Sequence, residues 1–69
     1  MYLRRRDNVS VEYECRDGIF TRHGTFVKQD EDSIIIRGTV GDSIGKPIII
    51  PKSRIVSITV NSPGHSENF

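Results

Sequence analysis

Residues 48–58 read Ile48-Ile49-Ile50-Pro51-Lys52-Ser53-Arg54-Ile55-Val56-Ser57-Ile58. Two apolar runs flank a short polar break. Pro47 opens the first run and Pro51 closes it. Proline has no amide donor, so it suits the ends of a strand. Ile48 to Ile50 is therefore expected as a strand, and Lys52-Ser53 as a tight turn. Arg54 to Val60 follows as another strand, with Val56, Ile58 and Val60 expected on one face and Ser57 and Thr59 on the other.

Working back towards the N-terminus, Gly38 to Lys46 is glycine-rich and polar, a loop by composition. Before it, Ser33 to Arg37 carries Ile34-Ile35-Ile36 and reads as a third strand. Gln29-Asp30-Glu31-Asp32 is a polar turn. Ile19 to Lys28 reads as a second strand, interrupted by Gly24. An isolated glycine in a strand marks a bulge or a sharp bend. Arg16-Asp17-Gly18 is a hairpin signal, because glycine readily takes positive φ. Val9, Val11, Tyr13 and Cys15 alternate with Ser10, Glu12 and Glu14, the period-two pattern of a half-buried first strand. No segment has useful helical periodicity. The expected fold is all-β: a small, strongly bent, five-stranded open barrel over residues 9–61. Residues 1–8 form a basic N-terminal segment and 62–69 a flexible polar tail.

Sixty-nine residues allow one domain. Such a short chain buries only about 60% of the surface that its unfolded form exposes, so it needs a staple. Cys15 is the single cysteine, which excludes an internal disulfide and fits a reducing compartment. His23 and His65 have no partners at ligand spacing, so no structural metal is expected. Self-association is the remaining staple, and a homo-oligomer is expected. The isoleucine runs point the same way. Neither run fits wholly inside one small core, so apolar faces and strand edges are left to cover. The middle isoleucine of each run could instead pack under the N-terminal segment or the 38–46 loop. No stretch approaches the 18 apolar residues of a membrane span. The Arg4-Arg5-Arg6 run has no apolar core behind it, as a signal peptide would. A cytoplasmic location is expected.

The order of these elements resembles the Sm-like family of LSm and Hfq-type proteins. Asp17-Gly18 lies where the family has an Asn/Asp-Gly turn, and Gly24 where it has its bend-forming glycine. Asp32-Ser33-Ile34-Ile35-Ile36 resembles the acidic turn leading into strand three. Ile49 to Ile58 is similar to the segment from strand four through the short turn to strand five. Residues 1–8 leave almost no room for the helix that opens most members. Ser33 stands where many have Asn, and Lys52-Ser53-Arg54 stands where an Arg-Gly pair is usual. The resemblance implies a strongly bent sheet that assembles into rings and holds RNA where two turns meet. Carried over, the implicated positions are Asp30, Asp32 and Ser33 on one turn and Lys52, Ser53 and Arg54 on the other.

The chemistry of these residue types suits that role. Lysine and arginine neutralise phosphate, and serine or aspartate can bond a base edge. Three acidic residues at 30–32 would repel phosphate, however, and the pattern equally suits a solvated turn. A stacking aromatic is missing from the turn. Arg4, Arg5 and Arg6 suit an arm that grips a phosphate backbone, or a solubilising terminus. Tyr2 beside them suits base stacking or covering a barrel end. His23 lacks a local nucleophile and orienting carboxylate, so it does not read as a general base. Cys15 reads as a small core residue. No enzyme activity and no cofactor are expected. Single-stranded RNA binding is the leading expectation. A protein-interaction module working through strand edges is the alternative. A nucleotide-sensing barrel with Arg4 to Arg6 as phosphate clamp is a third.

Overall fold

The computed structural model describes residues 3–62. Tyr2 and all of the expected tail beyond Ser62 lie outside the described residues. Five strands form one antiparallel sheet: β1 (Asn8–Cys15), β2 (Gly18–Gln29), β3 (Ser33–Gly38), β4 (Pro47–Pro51) and β5 (Ile55–Ser62). Their spatial order is β4-β3-β2-β1-β5. β4 and β5 are therefore its two edges, and the ladder does not close. Short 3-10 turns lie at Gly41–Ser43 and Lys52–Arg54. Among the described residues there is no α-helix.

Each local signal has a physical counterpart. Gly18, with φ +136°, makes the β1–β2 hairpin a two-residue connection, with Cys15 facing Gly18. Gly24 is buried where β2 changes character. Residues 18–23 of β2 are exposed, whereas Phe26 belongs to the core. A Cβ at Gly24 would lie 2.7 Å from the Arg37 carbonyl oxygen and 2.9 Å from Ile36 Cδ1. Glycine is required there by a close approach of two strands rather than by its φ. Two residues further on, the β2–β3 register shifts between Phe26 and Lys28. Such a bulge bends a strand and increases its twist.

Val9, Val11, Phe26, Ile34, Ile36, Ile50 and Leu3 form the core, with Tyr13, Ile48, Ile55 and Ile58 against it. Val11 and Ile36 are fully buried, at 0% exposure. A flat sheet without a covering layer cannot do that, since its apolar face must pack against something. Here the face curves over itself, and Leu3 is the described side chain from outside the strands that joins the core.

The isoleucine runs divide by strand parity. Ile34, Ile36 and Ile50 point inward and are buried. Ile35 and Ile49 are register partners on the opposite face, and Ile49 stays 65% exposed. Ile49 is thus covered neither by the N-terminal segment nor by the 38–46 loop.

On β5 the expected face pattern is corrected. Glu12 faces Ser57 but Tyr13 faces Ile55, so Val56 is the extra residue of a bulge and is 54% exposed. Ile55 takes its place on the inner side, with Ile58 opposite Val11 and Val60 opposite Val9.

Residues 4–7 are tied down. The Asp7 amide donates to the Arg4 carbonyl (3.0 Å), and the Arg4 amide donates to Asp7 Oδ2 (2.9 Å). Asp7 is 5% exposed, the described residues' one buried charged side chain. The Arg6 amide donates to the Phe26 carbonyl, and the Phe26 amide to the Asp7 carbonyl, both at 2.8 Å. The turn is therefore stitched to the inner half of β2. Where an arm or a free solubilising terminus was expected, the backbone of Arg4, Arg5 and Arg6 is part of the folded body.

Candidate functional site

The two turns implicated by the resemblance meet. The Lys52 amide donates to the Asp32 carbonyl at 2.8 Å, beside the register pair of Ser33 and Pro51. Asp32, Ser33 and Lys52 thereby share one end of the β3–β4 ladder. The sequence places them about twenty residues apart; the antiparallel pairing of the two isoleucine runs closes the distance.

Asp30 works within this turn. Its Oδ1 accepts from the amides of Asp32 (2.8 Å) and Ser33 (2.9 Å), and the Asp30 amide donates to the Ser33 carbonyl (3.0 Å). This is the local side-chain-to-backbone pattern by which aspartate sets turns. The two amides, with help from the Lys52 charge, hold its carboxyl below the usual carboxylate value. Glu31 and Asp32 are exposed on the same turn, and the carboxylate that feels the Lys52 charge is that of Asp30, which is exposed as well.

Ser53 and Arg54 point elsewhere. They line a polar cleft with Glu14, Cys15 and Arg16, where Arg54 Nη1 lies 3.5 Å from the Glu14 carbonyl. Cys15 is half-buried in the wall of this cleft rather than in the core. The N-terminal arginines occupy a third place. Arg5 and Arg6 line a cleft of about 230 Å³ with Thr25, Phe26, Val27 and Arg37. These candidate residues thus fall into three groups rather than one constellation, and Arg4 lines none of the three. Leu3 connects two of them. It lines an apolar groove of about 290 Å³ with Gln29, Ile34, Lys52, Ile55 and Ile58, two residues before Arg5.

Several polar and aromatic groups were not singled out in sequence for these partnerships. Tyr13 and Phe20 pair across the β1–β2 hairpin, ring centroids 6.2 Å apart, and Arg22 Nε donates to the Tyr13 hydroxyl at 3.1 Å. Phe20 is 45% exposed, so an aromatic surface does exist, on the hairpin rather than the turn. On the other face of β1, Asn61 Nδ2 donates to Ser10 Oγ, and Ser10 Oγ lies 2.8 Å from His23 Nδ1. His23 therefore has a hydroxyl partner and no carboxylate behind it in this row. Among the described residues no three His, Cys, Asp or Glu side chains gather as a metal site would require. Period-two patterning marks Ser10 and His23 as outward-facing; only the register makes them partners.

No protein-family model matches this chain, and no curated protein or solved structure is detectably similar to it.

Proposed function

We propose that this chain is a non-enzymatic, strongly bent open β-barrel of Sm-like type that self-associates and binds single-stranded RNA. The observation that carries the RNA reading is the Lys52–Asp32 junction, which brings a lysine to the turn of Asp30, Glu31, Asp32 and Ser33 at one end of the sheet. A cation there neutralises backbone phosphate, while the neighbouring hydroxyl and carboxylate accept or donate at a base edge. Arg5, Arg6 and Arg54 add positive charge from the two flanking clefts. Fluorescence anisotropy with a labelled single-stranded oligoribonucleotide tests this. Affinity should fall steeply as salt rises, and Lys52→Glu should weaken binding at every salt concentration. A folded protein that leaves the RNA free at low salt sinks the reading.

A second reading, a protein-interaction module, is favoured by the edges. Ile49 on β4 and Val56 on β5 are exposed apolar groups on strands with one unpaired side each. Such edges template pairing with another strand. A second copy of this chain brings both edges and is the occupant that fits the self-associating reading. Native mass measured before and after nuclease separates the cases. An assembly that survives nuclease and is broken by Ile49→Lys supports edge pairing; a nucleic-acid-free monomer of the wild type overturns both readings.

A further inference from the structure

We propose that Arg5, Arg6 and Arg37 form a pocket for a terminal phosphate, the phosphomonoester at the 5′ end of a nucleic-acid strand. The inference rests on the RNA reading only for the source of that phosphate; the pocket stands on its own geometry. Thr25 and Arg37 are direct register partners in the β2–β3 ladder. Phe26, the next residue, holds the Arg4–Asp7 turn through two backbone hydrogen bonds. That arrangement sets Arg5 and Arg6, the central residues of the turn, against Arg37 around one cleft of about 230 Å³. Among the described residues no carboxylate lines the cleft. The nearest in sequence, Asp7, is buried and accepts from the Arg4 amide.

Part of the site, the Arg6 backbone and the Arg37 side chain, is set before any ligand arrives. Arg6 sits at φ 76°, the described residues' one non-glycine residue at positive φ. A long side chain held in that left-handed region is strained, and such strain gathers at binding sites. Arg37 is held as well, since its Nη1 donates to the Gly45 carbonyl at 2.8 Å. A guanidinium carries five N–H donors, so most of those on Arg37 remain for a ligand. A guanidinium already held, as that of Arg37 is, loses less freedom on binding, which raises affinity.

The charge selects the ligand. A phosphomonoester brings nearly two negative charges and three strong acceptor oxygens, one for each guanidinium. An internal phosphodiester brings one charge and two free oxygens. A nucleic-acid strand is favoured over a phosphorylated peptide by what surrounds the pocket. Along the same N-terminal segment, Leu3 shares a groove with Lys52, so a polyanion leaving the pocket meets another cation within a few residues. A peptide with a single phosphate has no second charge to offer there.

The test compares binding of one oligoribonucleotide sequence carrying either a 5′-phosphate or a 5′-hydroxyl, with AMP, inorganic phosphate and a phosphoserine peptide as further probes. The 5′-phosphate form should bind about tenfold tighter, the scale of one or two charge-assisted hydrogen bonds. Arg37→Gln should remove that preference and leave the affinity of the 5′-hydroxyl form in place. Arg6→Gly should also remove it. Because glycine accepts φ 76°, that variant should unfold no more easily than the wild type, which separates lost binding from lost fold. Equal binding of the two oligonucleotides, with no competition by phosphate, overturns the pocket and leaves the RNA reading standing. Binding of AMP that Arg37→Gln abolishes, with neither oligonucleotide bound, keeps the phosphate pocket and sinks the RNA reading. Preference for the phosphoserine peptide overturns the assignment to nucleic acid.

Discussion

Replacing Gly24 with alanine adds one methyl group where β2 and β3 approach closely. The new Cβ would sit 2.7 Å from the Arg37 carbonyl oxygen, where ordinary contact begins at 3.4 Å, so 3.4 − 2.7 = 0.7 Å must be found. It would also meet Ile36 Cδ1 at 2.9 Å, and Ile36 is fully buried. One obstacle is backbone and the other is core, so neither swings aside as a surface side chain would. Overpacking of this kind costs about 1–3 kcal/mol, and two rigid neighbours place it towards the upper half. A chain of 69 residues has a total stability of about 3–10 kcal/mol. The substitution therefore removes a large share of it. In urea, with a slope of about 1 kcal/mol per molar for so small a domain, a loss of 2 kcal/mol moves the midpoint down by about 2 M. Circular dichroism or intrinsic tyrosine fluorescence follows the transition. Thr21→Ala, on the exposed half of the same strand, should stay within about 0.5 kcal/mol of the wild type. A Gly24→Ala midpoint indistinguishable from the wild type's, at unchanged slope, would refute the close approach of β2 and β3 as the reason for this glycine.

Asp7→Ala should cost about 1–3 kcal/mol in the same urea assay, because it takes the buried Asp7 carboxylate away from the part-buried Arg4 amide that donates to it; hydrogen exchange at the Arg6 amide should speed up in parallel. Asp30 predicts a pH dependence whose sign follows from its lowered value. The fold favours the carboxylate, so its contribution is complete above the ordinary value of 3.8 and is lost as pH falls through the lower folded value. The stability gap between wild type and Asp30→Ala, measured by thermal melts, should accordingly be present at neutral pH and shrink in acid below 3.8. A gap that widened in acid would contradict the turn geometry.

Much of the sheet was legible because period-two alternation and turn chemistry act locally. β1 shows its parity, Asp17-Gly18 its hairpin, Gly24 its bend, and Pro47 and Pro51 their strand ends. The phase of β5 was not legible, since Val56 is displaced by a bulge set against Glu12 and Tyr13, more than forty residues away. The opening segment concealed its role for a different reason. Asp7 looks like a solvated acid, and its burial is made tolerable by backbone amides that composition does not record. Arg37 reads as a surface charge at the end of a strand, and only the β2–β3 register brings it to Arg5 and Arg6. The meeting of the 30–33 and 52–54 turns was visible through the resemblance alone. The structure adds that Ser53 and Arg54 turn away from it towards Arg16.

The two edges of the sheet are different surfaces on the same chain. β4 is five residues long and bracketed by prolines, whereas β5 runs for eight residues and carries two register shifts. If self-association pairs the β4 edge of one copy with the β5 edge of the next, the contact is heterologous and no two-fold axis relates the pair; β4 against β4 would instead be two-fold. Every added copy consumes one edge of each kind and presents one of each again. Growth by that rule ends only when the rotation from copy to copy closes a circle; otherwise it continues as a filament. Lys52–Arg54, a single 3-10 turn, joins these two edge strands along the chain.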